Sequence, residues 1–184
     1  MYSQLKEVVY MKHNKIRNIL LLGLFVALEV ILTRFFSVEN QFVRITFSFI
    51  PLAVSAILFG PVMAGIAAAV ADVLGMIIFP KAAFFPGFTL TAFLTGFLYG
   101  VFLYKKEVTI IRTFFAVLAV TVICSLTLNT IWLVIMYNKG AIAVLTARLI
   151  KDAIFIPIQT VTIYFTWKLI GNAVTKSLNP GISD

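Results

Sequence analysis

Apolar residues run along this chain in long blocks, broken by short clusters of charge, Gly, Pro and Asn. The blocks have the length of bilayer crossings. The first, Ile16 to Phe36, is 21 residues long and as a helix reaches about 31 Å, enough to cross a hydrocarbon core. The second, Ile45 to Phe59, is short. The third, Val62 to Phe79, follows after only Gly60 and Pro61, which makes the two antiparallel neighbours. A fourth runs from Phe88 to Tyr104 and ends at Lys105, Lys106 and Glu107; the fifth is Ile110 to Tyr137. Asn138, Lys139 and Gly140 turn the chain into the sixth, Ala141 to near Gly171. Ser37 to Arg44 and Pro80 to Gly87 read as irregular and fall on one side. The pattern predicts an all-α membrane protein, six transmembrane helices in one bundle over residues 16–173, with a basic N-terminal tail over 1–15 and a C-terminal tail over 174–184. No internal repeat is visible, which argues against folds assembled from inverted halves.

Composition supports that class. Hydrophobic residues make up 61% of the chain and charged residues 12%, against about 25% charged in soluble domains, and the mean hydropathy is +1.05. The single Cys124 lies in an apolar run, which excludes an intrachain disulfide or a metal site of paired thiols and reads as core filler. Met1 to Arg17 is polar and basic, and the apolar run behind it lacks a small-residue cleavage site, so that run is expected to remain as a helix.

Basic residues set the expected orientation. With the N-terminus inside, the inner ends hold Lys6, Lys12, Lys15, Arg17, Lys105, Lys106, Arg112, Lys168 and Lys176, nine of the fifteen. The outer ends hold Arg34, Arg44, Lys81, Lys139, Arg148 and Lys151. Both termini are therefore expected in the cytoplasm. The net charge of +8 follows from this topology and calls for no nucleic acid. The outer cations either draw in an anionic ligand or meet lipid headgroups; for Arg34, Lys81 and Lys139 headgroup contact is the simpler reading.

The sixth block carries the most chemistry. Arg148, Asp152, Phe155 and Gln159 recur at helical spacing and line one face, with Lys151 beside them. Charges beside hydrocarbon are expensive unless they pair or meet a ligand. Arg148 and Asp152 can pair along the helix, leaving Lys151 as the net positive group; the alternative is a self-neutralised helix end. Pro157 removes a backbone donor near the stripe. In the fifth block Asn129 and Trp132 lie one turn apart, with Tyr137 near the end. An amide and an indole suit a flat heterocycle, although Asn also bonds between helices and Trp and Tyr also form interfacial belts. Glu29 and Asp72 are lone carboxylates, read as proton carriers or, more simply, as structural groups. Small-residue steps occur at Ala92, Gly96 and Gly100, and at Gly23 and Ala27. The former reads as internal packing, while the latter fits equally a packed helix or a docked partner. There is no P-loop, no H-E-x-x-H pattern, no other metal-binding motif and no paired nucleophile and base, and His13 is the one histidine. ATP hydrolysis, metal chemistry and other enzyme activity are not expected, nor is a cofactor.

The stretch RITFSFIPLAVSAILFGP from Arg44 to Pro61, then Ala71-Asp72, then FPKAAFFPGFTLTAFLTGFLYG from Phe79 to Gly100 resembles the substrate-binding membrane subunit (S component) of energy-coupling factor vitamin transporters, most closely its folate-type branch. The resemblance implies a six-helix subunit that captures a vitamin on the outer side. It also implies association with a transmembrane coupling protein and two ATPase subunits, and delivery by toppling in the bilayer. The family's small-residue docking step on the first helix falls on Gly23 and Ala27, with Gly in place of Ala. Its pocket, built from outer loops and the outer halves of the last three helices, brings in Arg44, Phe84, Phe88, Asn129, Trp132, Arg148 and Lys151. The Phe-rich run Phe84-Phe85-Pro86-Gly87-Phe88 is where a lid would lie. Folate suits this set, its pterin matching an amide and aromatic faces at depth and its glutamyl tail matching cations near the mouth. Pantothenate uptake by the same machinery is the nearest alternative, and an autonomous proton-coupled transporter is a second.

Overall fold

Backbone N–H and C=O groups surrounded by hydrocarbon must find partners within their own segment, so the apolar blocks fold as helices. The structure, a computed structural model, describes residues 15–39, 44–80, 84–137 and 141–178. Helix α1 is Lys15–Arg34; strands β1 (Ser37–Glu39) and β2 (Arg44–Thr46) follow, then α2 (Phe49–Phe59), α3 (Pro61–Ile78) and α4 (Pro86–Leu103). Helix α5 (Ile110–Val120) passes through a π-helical segment, Thr121–Leu128, into α6 (Asn129–Tyr137), and α7 spans Ala141–Leu178. Among the described residues, four helices are long and apolar enough to cross a membrane: Pro61–Ile78, Pro86–Leu103, Ile110–Met136 and Arg148–Gly171. Phe49–Phe59 is a shorter apolar helix.

Helix α2 is the axis of the fold, packed by α1, α3, α4 and α7. Pro51 to Leu58 are buried without interruption, which an apolar helix with no polar face tolerates. Leu52, Ala56 and Ile57 meet Tyr99 and Leu103 of α4, Val117 of α5 and Ile163 of α7. The exterior is apolar too, with Leu24, Ile66, Val70, Ile111, Phe115, Ile154 and Phe165 exposed, as lipid requires.

Helices α3 and α4 cross backbone to backbone. A Cβ at Gly96 would lie 2.5 Å from the Ala64 carbonyl oxygen, and one at Gly65 would lie 2.9 Å from that of Phe93. The small residues thus serve internal packing, as their spacing indicates. At the α2–α3 turn Gly60 takes φ 86°, a left-handed conformation that lets Pro61 open α3 at once.

Several boundaries differ from the sequence reading. Ile45 belongs to a short antiparallel hairpin, not to the second helix, with Ser37 opposite Thr46, Val38 opposite Ile45 and Glu39 opposite Arg44. The fold is therefore nearly, not wholly, helical. The Thr46 hydroxyl donates to the Leu32 carbonyl at 3.0 Å and accepts from the Ser48 N–H at 3.2 Å, fastening the hairpin between α1 and α2. Strands of three residues are too short for alternation to reveal. Helix α4 begins at Pro86, because proline needs no donor in a first turn, so Gly87 lies within the helix. Helix α7 continues through Pro157 and past Gly171 to Leu178.

Arg34 does not lie among headgroups. It is buried at 6% exposure against α3, where a Cβ on Gly75 would be 2.6 Å from its Nε, and its Nη2 donates to the Asp72 carbonyl at 3.5 Å. Glu29 is buried nearby, and the Asp72 carboxylate accepts from the Thr89 hydroxyl at 2.8 Å. Polar groups of α1, α3 and α4 thus meet inside the protein.

Gly96→Val is expected to force α3 and α4 apart and to destabilise the detergent-solubilised protein by about 1 to 3 kcal/mol or more. A melting temperature equal to wild type would contradict the backbone crossing.

Candidate functional site

The stripe on α7 faces the π segment. The Arg148 Nη1 donates to the Ser125 carbonyl at 2.7 Å and approaches the Ser125 hydroxyl at 3.4 Å. That hydroxyl in turn donates to the Asp152 Oδ2 at 2.8 Å. The other carboxylate oxygen pairs with the Lys151 ammonium. Asp152 therefore pairs in contact with Lys151 and acts on Arg148 at longer range and across Ser125, which corrects the direct Arg148–Asp152 pair that the spacing allows. Arg148 and Asp152 are 8% and 5% exposed, so their charges are held inside the protein. The Arg148 Nε is buried without a hydrogen-bond partner.

The π register builds this seat. In a regular helix the Asn129 N–H would bond the Ser125 carbonyl, four residues back. Here it bonds the Cys124 carbonyl, five back, leaving the Ser125 oxygen to Arg148. Cys124 itself is buried in the core.

One turn from Ser125, the Asn129 Oδ1 is also buried without a partner. Trp132 donates from Nε1 to the Thr91 hydroxyl of α4 at 3.0 Å, and Thr91 donates to the Gly87 carbonyl at 3.0 Å. The Phe85 ring lies 5.6 Å from Trp132 and 6.0 Å from Phe88. Gly87 is needed here, since a Cβ would come within 2.6 Å of the indole. The rod of α5, the π segment and α6 thus carries an unpaired buried acceptor at Asn129, between the aromatic corner at Trp132 and the carbonyl that receives the buried guanidinium.

A profile of the family described as "ECF transporter, substrate-specific component" matches residues 17–170. The chain belongs to this family. It is accordingly a multi-pass protein of the cell membrane, a substrate-binding part of a transporter. It is 46% identical over 157 residues to folate transporter FolT of Clostridium novyi (strain NT), covering 85% of this chain and 91% of that protein. Folate transporter FolT of Leuconostoc mesenteroides subsp. mesenteroides is 35% identical over 164 residues, 86% of each. A crystal structure of FolT bound with folic acid superposes with a TM-score of 0.79 at 47% identity, covering 82% of this chain and 92% of that one.

Within this S component the sequence-predicted residues fall into separate groups. Arg148 and Asp152 bond Ser125, with Lys151 on Asp152; Trp132 and Phe88 flank Phe85 in the aromatic corner, and Asn129 lies about one turn before Trp132 on α6. Gln159 is half-buried two turns farther along α7 than Asp152. Phe84 is exposed at 55%, and Arg44 is exposed on β2. Tyr137 closes α6, and its side chain lies outside the described part, as do Lys81 and Lys139. Gly23 and Ala27 are exposed on α1, with nothing within 4 Å of a Cβ at Gly23.

Along α5, the π segment and α6 the contacts do not follow the expected division of an amide at depth and cations near the mouth. Arg148 reaches Ser125, one turn farther from Tyr137 than Asn129, because it lies two turns inside α7. Ser125 and Thr91 escaped the sequence reading, whereas Phe85 was named only as part of the Phe-rich run. Hydroxyls in apolar runs ordinarily bond their own helix, as Thr95 does to the Thr91 carbonyl at 2.8 Å, so composition gives them no signal.

Thr91→Val is expected to leave the half-buried indole N–H unmet and to destabilise the protein by about 1 kcal/mol, while Thr91→Ser retains wild-type stability. Equal melting temperatures for all three would refute the Trp132 anchor.

Proposed function

We propose that this chain is the high-affinity folate-binding S component of an energy-coupling factor transporter. The observation that carries the ligand reading is a pair of unmet buried groups, the Asn129 Oδ1 and the Arg148 Nε, the second on a guanidinium that bonds Ser125 one helical turn from Asn129. Buried polar atoms without partners are rare, and a ligand that brings both N–H donors and a carboxylate satisfies both. Folate is such a ligand, and the strong similarity to proteins named folate transporters supports it.

The pterin lies against Phe85, Phe88 and Trp132 and gives its N–H edge to Asn129, while a glutamyl carboxylate meets Arg148, with Lys151 adding charge. Arg44, Phe84, Tyr137, Asp152 and Gln159 complete the candidate lining. The chain performs no chemistry on the vitamin and needs no cofactor. Six helices cross the bilayer, α1 and the short α2 joining the four long ones, with both termini in the cytoplasm and the site toward the outside. Delivery requires the coupling protein and two ATPase subunits, and the exposed step of Gly23 and Ala27 on α1 is the docking face.

Asn129→Ala is expected to weaken folate binding by roughly 1 to 3 kcal/mol, and pantothenate binding, if any is measurable, by less, because only the pterin loses a matched edge. Calorimetry on the purified protein decides this. Folate affinity unchanged by the substitution would remove Asn129 from the site, and tighter binding of pantothenate than of folate would replace the ligand.

A further inference from the structure

We propose that Ser125 is a positioning residue for anion recognition: it keeps Arg148 and Asp152 from closing on each other and so leaves the guanidinium open to the ligand's carboxylate. The inference rests on the proposed role of Arg148 as the partner of that carboxylate.

Arg148 and Asp152 are four residues apart on one helical face, the spacing at which opposite charges pair directly. In a buried setting the attraction is strong, because little water screens it. The two nevertheless do not pair. Asp152 is engaged on one oxygen by Lys151 and on the other by the Ser125 hydroxyl at 2.8 Å. Arg148 is drawn across to α5–α6 by the Ser125 carbonyl at 2.7 Å through Nη1. One residue therefore takes both members of the pair, each with a different group.

The consequence lies in which edge of the guanidinium remains. Nη1 is committed to Ser125, and Nε has no partner. The Nε–Nη2 edge is the one a carboxylate grips with two parallel hydrogen bonds. A direct pair with Asp152 would occupy donors that the ligand needs. The π register is part of the device, since the Asn129 N–H bonds the Cys124 carbonyl and not that of Ser125.

The test compares folate with pteroate, which lacks the glutamyl tail, on the purified protein in detergent. Arg148→Ala is expected to bring folate affinity down to that of pteroate. Ser125→Ala is expected to weaken folate tenfold or more while pteroate stays within twofold. Ser125→Thr, which restores a hydroxyl, retains wild-type folate binding. Asp152→Asn added to Ser125→Ala removes the competing anion and recovers folate affinity threefold or more. Should Ser125→Ala not purify folded, Ser125→Cys, with its weak thiol donor, carries the same comparison. A loss in Ser125→Ala that is equal for both ligands, or absent, with Arg148→Ala selective as expected, overturns the role of Ser125 alone. An unchanged folate-to-pteroate ratio in Arg148→Ala overturns the reading of Arg148 and this inference with it.

Discussion

A charge inside a membrane protein persists only where protein groups replace the water it has lost, and the placing of Arg148, Lys151 and Asp152 follows from that constraint. Two cations and one anion meet over a single serine. The helix that carries this serine leaves its α register there, giving up one regular hydrogen bond so that a carbonyl can face a guanidinium. The cluster is satisfied in part only, since the Arg148 Nε has no hydrogen-bond partner.

The remainder of the molecule holds that cluster in place. Helix α2 is buried among α1, α3, α4 and α7, and α3 crosses α4 at glycine contact. Arg34, Glu29, Asp72 and Thr89 gather polar groups where α1, α3 and α4 meet. From this scaffold α4 and the residue that caps it extend Thr91 and Phe85 to Trp132 and hold the indole by its N–H and its ring. Site and scaffold therefore share α4, so packing errors there reach the aromatic corner directly.

Much of the architecture was legible in the sequence because lipid imposes a coarse rule that apolar blocks obey. The tight α2–α3 turn was visible in Gly60 and Pro61, and close internal packing in Gly96 and Gly100, though not which helix they meet. The family was legible in the stretch from Arg44 to Gly100. What escaped depends on partners remote in the chain. The i, i+4 spacing of Arg148 and Asp152 shows only their own helix, so it suggested a direct pair and missed Ser125, more than twenty residues away. Hydrophobic pattern does not record whether a helix bonds four or five residues back, which hid the π segment. Arg34 read as a headgroup contact because nothing in the sequence shows the bare backbone at Gly75 that receives it.

A substrate-binding subunit whose sequence carries no P-loop pattern is proposed to take its energy from partner subunits, and that division of labour is the central claim. Accumulation of labelled folate in sealed vesicles tests it most directly, with this chain reconstituted alone or with its coupling protein and ATPase subunits. The account predicts stoichiometric binding without accumulation by the chain alone, and ATP-dependent accumulation by the full assembly. Concentrative uptake by the chain alone would contradict it.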